Sequence, residues 1–164
     1  MSGIDARRAR PFAPRVGRWL LVLLVAVAGC SRRAPNATPD GAVRELVERL
    51  RRVEGDPADA KAAFALLSRA ARENLGARAQ RYAAAIGKPI APEAMITPSR
   101  FVLRFEPQRY SARIAGASAA VEVTGLLPEQ RAVVPVVYED GGWRVDAVLP
   151  PLPPVQTRPG STPP

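Results

Sequence analysis

Between residues 39 and 87 the apolar residues recur at steps of three and four, which is the spacing of one face of an α-helix. The first such face comprises Val43, Leu46, Val47, Leu50 and Val53. Thr38 can cap this helix, and Pro39 suits its first turn, where no backbone N–H is needed. Gly55 follows as a stop signal. The pattern therefore predicts a helix that begins at Pro39.

A second helix is predicted over residues 58–67, because Asp56-Pro57 repeats the combination of a capping residue and a proline. Ser68 either caps a third helix or lies at a bend within the second. The buried stripe predicted for this last segment comprises Leu75, Ala79, Tyr82 and Ile86. Gly87 ends the helical pattern.

After a helical turn predicted at residues 92–96, the apolar period changes to two, which indicates β-strands. Strands are predicted at residues 101–105, 110–114, 121–123, 131–138 and 143–149. Helices followed by strands are typical of the α+β class. The pattern predicts two or three N-terminal helices packed on an antiparallel sheet of about four strands.

The last two strands flank Glu139-Asp140-Gly141-Gly142, a strong hairpin signal. A symmetric loop there pairs Tyr138 with Trp143 and Val136 with Val145, on the apolar and therefore core-facing side. Pro135 cannot donate a hydrogen bond to a neighbouring strand. For that reason we expect a four-residue loop over residues 139–142, or a bulge near Pro135, rather than a two-residue turn at Asp140-Gly141.

The foldable part covers residues 39–149, which is enough chain to bury a core without disulfides. Residues 150–164 contain seven of the eighteen prolines and no apolar period. Such a composition predicts an extended or disordered tail.

The first 29 residues have the parts of a secretory signal. Five arginines precede an apolar run over residues 19–28, which ends at small residues. This run is shorter than the roughly 20 residues needed to cross a bilayer. A buried core helix is the alternative, but the arginines before it and the polar, proline-containing sequence after it argue against that reading.

Val27-Ala28-Gly29-Cys30 resembles the lipobox of bacterial lipoproteins. The resemblance implies cleavage between Gly29 and Cys30, lipid attachment at Cys30, and residues 30–38 as the lipidated cysteine and its tether. It also implies a lipid-anchored protein of the bacterial cell envelope. Ser31, where an aspartate would favour inner-membrane retention, suggests the outer membrane, with the domain facing the periplasm.

Charge and cysteine content exclude several function classes. The formal net charge is +9, of which the signal supplies +4, so about +5 remains on scattered arginines with few aromatic residues between them. This distribution does not indicate nucleic-acid binding. Cys30 is the one cysteine, so its lipidation would leave no thiol for catalysis, disulfides or metal ligation. No metal or cofactor motif is present in the sequence.

The order of elements resembles the NTF2-like superfamily, in which helices wrap a curved, cone-shaped sheet that can leave a pocket at its open end. The segments that carry this resemblance are residues 54–68, 119–123 and 136–145. The superfamily contains ketosteroid isomerases and polyketide cyclases, and also many members that only bind or dimerise. A homodimer is therefore compatible with the resemblance.

The candidate residues favour binding over catalysis. The chain has no histidine, the commonest acid–base group. Glu122 and Asp146 are predicted on the faces opposite their apolar neighbours, and Glu93 and Glu106 in loops. The candidate pocket or core residues are Tyr82, Tyr138 and Trp143, with Trp143 expected in the core. Four further arginines form either an anion patch or scattered surface charge, namely Arg100, Arg104, Arg113 and Arg144.

We therefore expect a non-catalytic domain that binds a protein partner or a small apolar ligand. Two alternatives remain open. One is an NTF2-like enzyme that acts on a hydrophobic substrate, and the other is a structural spacer of the envelope. A carboxylate in a cavity would favour the enzyme, and an exposed apolar patch on the outer sheet face would favour a protein partner.

Overall fold

The structure is a computed structural model, and it describes residues 33–101 and 103–154. Cys30, the predicted signal and residues 155–164 lie outside the described residues. The helices are α1 (Pro39–Leu50), α2 (Pro57–Ala65) and α3 (Arg69–Ile86). Short 3-10 turns lie at Pro35–Ala37, Pro92–Met95 and Pro98–Arg100. The strands are β1 (Arg109–Ala115), β2 (Ser118–Thr124), β3 (Arg131–Glu139) and β4 (Gly142–Val145). The predicted α+β class is confirmed.

Side-chain caps decide where each helix begins. The Oγ1 atom of Thr38 accepts a hydrogen bond from the Gly41 N–H (3.2 Å), and the Asp56 carboxylate accepts one from the Ala58 N–H (2.8 Å). Ser68 caps α3 by accepting from the Ala71 N–H at 3.2 Å. Each cap satisfies a backbone donor that the first turn of a helix leaves unpaired. Ser68 therefore separates two helices instead of bending one.

The four strands form one antiparallel sheet in the order β1-β2-β3-β4. Tyr138 pairs with Trp143 and Val136 with Val145, which confirms the predicted register of the hairpin. The predicted four-residue loop is wrong, because the turn consists of Asp140 and Gly141 alone. Both residues have positive φ, 50° and 75°, as the preferred two-residue hairpin turn requires.

Pro135 is tolerated because β4 ends at Val145, one residue before the position where Pro135 would have to donate. The Asp146 N–H still donates to the Pro135 carbonyl at 2.9 Å, so only one bond of that pair is missing.

The outer edge of β4 is covered by the segment between α2 and α3. Val145 accepts from the Ser68 N–H and donates to the Leu66 carbonyl, both at 2.8 Å.

The core lies between the helices and the inner face of the sheet. Helix α1 crosses all four strands and buries Val43, Leu46 and Leu50 against them. Trp143 is 8% exposed and belongs to this core, which confirms its predicted placement. The buried cluster comprises Ala42, Val43, Leu46, Leu50, Ala63, Leu66, Leu67, Ala71, Leu75, Ile96, Ala119, Val121, Val123, Val136, Trp143 and Val145.

Two predictions about apolar residues are wrong. The sequence predicts a strand over residues 101–105, but the described residues of this range, 101 and 103–105, follow a 3-10 turn and pair with no described strand. Phe101, Leu103 and Phe105 instead pack half-buried against the edge of the core. A short, mostly apolar segment can cover a core edge from a loop as well as from a strand. The second error concerns α3, where Leu75 and Ala79 are buried but Tyr82 is 53% and Ile86 44% exposed.

Candidate functional site

A groove lies along the C-terminal half of α3, and we call it the α3 groove. Its volume is about 450 Å³, and its walls come from α3, from the 3-10 turns before the sheet and from the chain after the sheet. Tyr82 is exposed because its ring lines this groove instead of the core. The lining residues are Arg78, Arg81, Tyr82, Ala85, Met95, Thr97, Arg100, Phe101, Leu149, Leu152 and Pro153.

Two arginines of α3 hold the start of the proline-rich segment beside the groove. Arg78 Nη2 donates to the Pro150 carbonyl at 2.6 Å, and Arg81 donates to the Pro153 carbonyl. Asn74 supports this arrangement, since its Nδ2 also donates to Pro150 (3.2 Å) while its Oδ1 accepts from Arg78 Nε (2.7 Å). Residues at positions i and i+3 of a helix lie on one face, so both guanidinium groups reach the same side.

The α3 groove is cationic, because its charged lining residues are Arg78, Arg81 and Arg100 and none of its lining residues is acidic. These three arginines make no ion pair with any of the described residues. Six other described arginines do pair with a described acid, as Arg131 does with Glu122 at 3.0 Å, whereas Arg44 and Arg113 do not. The groove can therefore attract an anion while its remaining walls offer apolar surface.

A second cavity of about 260 Å³ adjoins the groove and shares Arg100, Phe101 and Leu149 with it. Its other walls come from α1, from β3 and from the chain at 145–148. Its lining residues are Val43, Leu46, Val47, Arg100, Phe101, Leu103, Val133, Val134, Pro135, Val145, Asp146, Ala147, Val148 and Leu149. Together the two cavities offer apolar surface on either side of Arg100.

Asp146 is the acidic residue of the second cavity. Its Oδ1 accepts a hydrogen bond from Ser68 Oγ at 2.7 Å, and Ser68 is 1% exposed. The Ser68 hydroxyl is thus committed to a carboxylate and to the first turn of α3. A hydroxyl so buried and so bonded is a structural link between α3 and the end of β4, and a substrate could not reach it.

The structure separates the three aromatic candidates. Trp143 and Tyr138 form an edge-to-face pair with ring centroids 5.4 Å apart and planes at 71°. Neither ring lines the α3 groove or the second cavity. Tyr138 remains 50% exposed, although it is the strand partner of the buried Trp143. Of the three residues, Tyr82 alone has a position suited to contact with a ligand in the groove.

The four arginines proposed as an anion patch lie on different elements. Arg100 belongs to the α3 groove, Arg104 lies in the loop before β1, and Arg113 and Arg144 lie on β1 and β4. Sequence reasoning missed Arg78 and Arg81 as partners of Arg100. The one available signal was their i, i+3 spacing just before Tyr82 on a predicted helix.

A third charged cluster has a structural role. The Asp59 carboxylate is 5% exposed and accepts hydrogen bonds from Arg49 (2.6 Å) and Arg52 (3.0 Å). These bonds, first from Arg49 and then from Arg52, hold the pKa of Asp59 below its usual value. Glu45 also pairs with Arg49, at 2.7 Å. The cluster joins α1 to α2 and does not contribute to either cavity.

Within residues 33–101 and 103–154, no group of three or more histidine, cysteine, aspartate or glutamate side chains is placed to hold a metal ion. None of the helices in the described part of the chain has the length and apolar character required to span a membrane. In comparisons with known proteins, no family model, no curated protein and no solved structure matches this chain.

Proposed function

We propose that this protein is a lipid-anchored component of the bacterial cell envelope whose folded domain binds a small apolar ligand in the α3 groove, without catalysis. The observation that carries the proposal is the groove itself, about 450 Å³ with walls that include Tyr82, Phe101, Leu149 and Leu152. Pockets for small molecules commonly have volumes of roughly 300–1,000 Å³ and mostly apolar walls.

The outer sheet face gives less support to a protein partner. The one large apolar side chain exposed on that face among the described residues is Val133, at 64%. Its neighbours include Arg131 and Glu122, which form an ion pair. A single exposed valine among charged residues is normal for a protein surface. A ligand in the groove is therefore the better-supported choice.

The anchor is the second part of the proposal, and it depends on Val27-Ala28-Gly29-Cys30 directly after an apolar run. Two or more acyl chains on Cys30 would anchor the protein stably, at the outer membrane and facing the periplasm. Cells grown with a radioactive fatty acid test this directly. Wild-type protein should incorporate the label, and Cys30→Ser should remain an unlabelled, uncleaved precursor. Equal labelling of the two proteins, or none in wild type, contradicts the anchor.

The ligand site can be tested with N-phenyl-1-naphthylamine, a neutral apolar dye whose fluorescence rises when it leaves water. Ala85 lines the α3 groove, and the adjacent Ala84 is also exposed but does not line it. Ala85→Trp should fill the groove and abolish the rise in dye fluorescence, whereas Ala84→Trp should bind the dye like wild type. Equal binding by both variants would place the dye elsewhere and refute the proposed site.

A second candidate function, an isomerase- or cyclase-type enzyme with a hydrophobic substrate, is favoured by the position of Asp146 in the second cavity. The bond from Ser68 leaves one carboxylate oxygen of Asp146 free to act as a base. A bulky β,γ-unsaturated ketone, whose isomerisation creates a conjugated and ultraviolet-absorbing product, tests this function. We expect no turnover. Turnover in wild type that is lost in Asp146→Asn would favour the enzyme.

A further inference from the structure

We infer that the ligand of the α3 groove is an anionic amphiphile, a molecule with one carboxylate or phosphate head and an apolar body. This inference rests on the proposed function and adds the chemical class of the ligand. The head would bind the guanidinium groups of Arg78, Arg81 and Arg100, and the body would lie against Tyr82, Phe101 and Leu149.

The first argument is the uncompensated charge. Three arginines line the groove, no acidic residue does, and none of the three pairs with an acid among the described residues. A neutral ligand would cover these cations without compensating them, and covering an unpaired charge is costly. An anionic head removes that cost by forming charge-assisted, two-pronged hydrogen bonds with guanidinium groups.

The second argument is that Arg78 and Arg81 keep N–H donors that no protein acceptor uses. Arg78 uses Nε on Asn74 and Nη2 on Pro150, and Arg81 uses Nη1 on Pro153. A guanidinium group has five N–H donors, so each arginine keeps donors for a ligand. The partners already present also help, because bonds to the proline-rich segment hold both side chains beside the groove before any ligand arrives. Such preorganisation lowers the entropic cost of binding.

The third argument is that a continuous apolar surface adjoins the three arginines. The second cavity continues the apolar surface beyond Arg100, with Leu46, Val134 and Val145 among its lining residues. A small inorganic anion would use the arginines and leave this surface in water. A neutral hydrocarbon would use the surface and leave the arginines unpaired. Only a molecule with both parts matches both features.

The test compares ligands of one chain length in calorimetric titrations of the full-length protein. Decanoate and decyl phosphate carry the two anionic heads, decan-1-ol is the neutral analogue, and inorganic phosphate is the head alone. We expect one or both anionic amphiphiles to bind at least tenfold more tightly than decan-1-ol. The tighter of the two identifies the head as carboxylate or phosphate. Inorganic phosphate should bind at least tenfold more weakly than the tighter of the two amphiphiles.

Two variants test whether the α3 groove causes the preference for an anionic amphiphile over decan-1-ol. Arg100→Gln should reduce the preference for the anionic amphiphile over decan-1-ol to less than threefold, whereas Arg113→Gln on β1 should keep the preference of wild type. Equal binding of decanoate, decyl phosphate and decan-1-ol overturns the inference and leaves the proposed function standing. Phosphate binding as tight as that of the amphiphiles also overturns it. If no ligand with an apolar chain binds, the proposed function fails as well.

Discussion

Replacing Trp143 with alanine is the strongest test of the packing between sheet and helices. The side chain is 8% exposed, lies in the core cluster and meets Tyr138 edge to face at 5.4 Å. Truncation of a buried tryptophan costs about 3–5 kcal/mol, because the lost burial adds to the cost of the cavity left behind. The edge-to-face pair accounts for about 0.5–1.5 kcal/mol of interaction in such a site. We therefore expect Trp143→Ala to lose about 3–5 kcal/mol in the free energy of unfolding.

Urea unfolding followed by far-ultraviolet circular dichroism measures this loss. Tyr138→Ala is the matched control, because it removes the same aromatic pair from a residue that is 50% exposed. Its cost should be about 1–2 kcal/mol, from the pair and the smaller buried area. The loss expected for Trp143→Ala leaves little stability to measure, so Trp143→Phe serves as a second variant. It should stay folded and lose less free energy of unfolding than Trp143→Ala. A loss below about 1 kcal/mol in Trp143→Ala, which is typical of surface substitutions, would refute the packing of this residue.

Three further predictions concern the links around the core and groove. Asp59→Asn should destabilise the protein at neutral pH. The pKa of Asp59 is lowered in the folded protein, so its charge stabilises the fold above pH about 4 and this stabilisation is lost as the pH falls further. The difference in the free energy of unfolding between wild type and Asp59→Asn should therefore persist above pH about 4 and shrink below it, as measured by urea unfolding at a series of pH values. Ser68→Ala should cost about 1–3 kcal/mol, because it removes the cap of α3 and the bond to Asp146, whereas Ser99→Ala should be near neutral. Arg78→Gln should lower the methyl order parameter of Leu152 in NMR relaxation, because the Pro150 carbonyl loses its shortest bond; an unchanged value would mean that Arg78 does not hold this segment.

The parts of the fold that the sequence predicts well are those with local causes. Thr38, Asp56 and Ser68 cap helices through bonds to residues two or three positions away, so short patterns contain the necessary information. The pairing of Tyr138 with Trp143 is equally local, since the two strands are joined by a short turn. The predicted turn length is wrong because β4 ends at Val145, so the missing N–H of Pro135 does not exclude a two-residue turn at Asp140-Gly141.

The candidate site is harder to predict because distant segments build it. Arg78, Arg100 and Leu149 come from a helix, a 3-10 turn and the chain after the sheet, and nothing in their local sequence connects them. Tyr82 continues the apolar period of α3, so its place in a groove could not be distinguished from a place in the core. Residues 101–105 present the same difficulty, since a short and mostly apolar segment fits both a strand and a loop that covers a core edge.

The location of a bound apolar ligand is the most direct test of the function proposed for this domain. Two-dimensional NMR spectra of the protein, recorded while N-phenyl-1-naphthylamine is added, report which residues the ligand touches. We predict that the largest shifts occur at Tyr82, Phe101, Leu149 and Leu152, with none at Glu122 on the outer sheet face. Shifts centred on the outer sheet face, or no saturable shifts at all, would contradict a ligand site in the α3 groove.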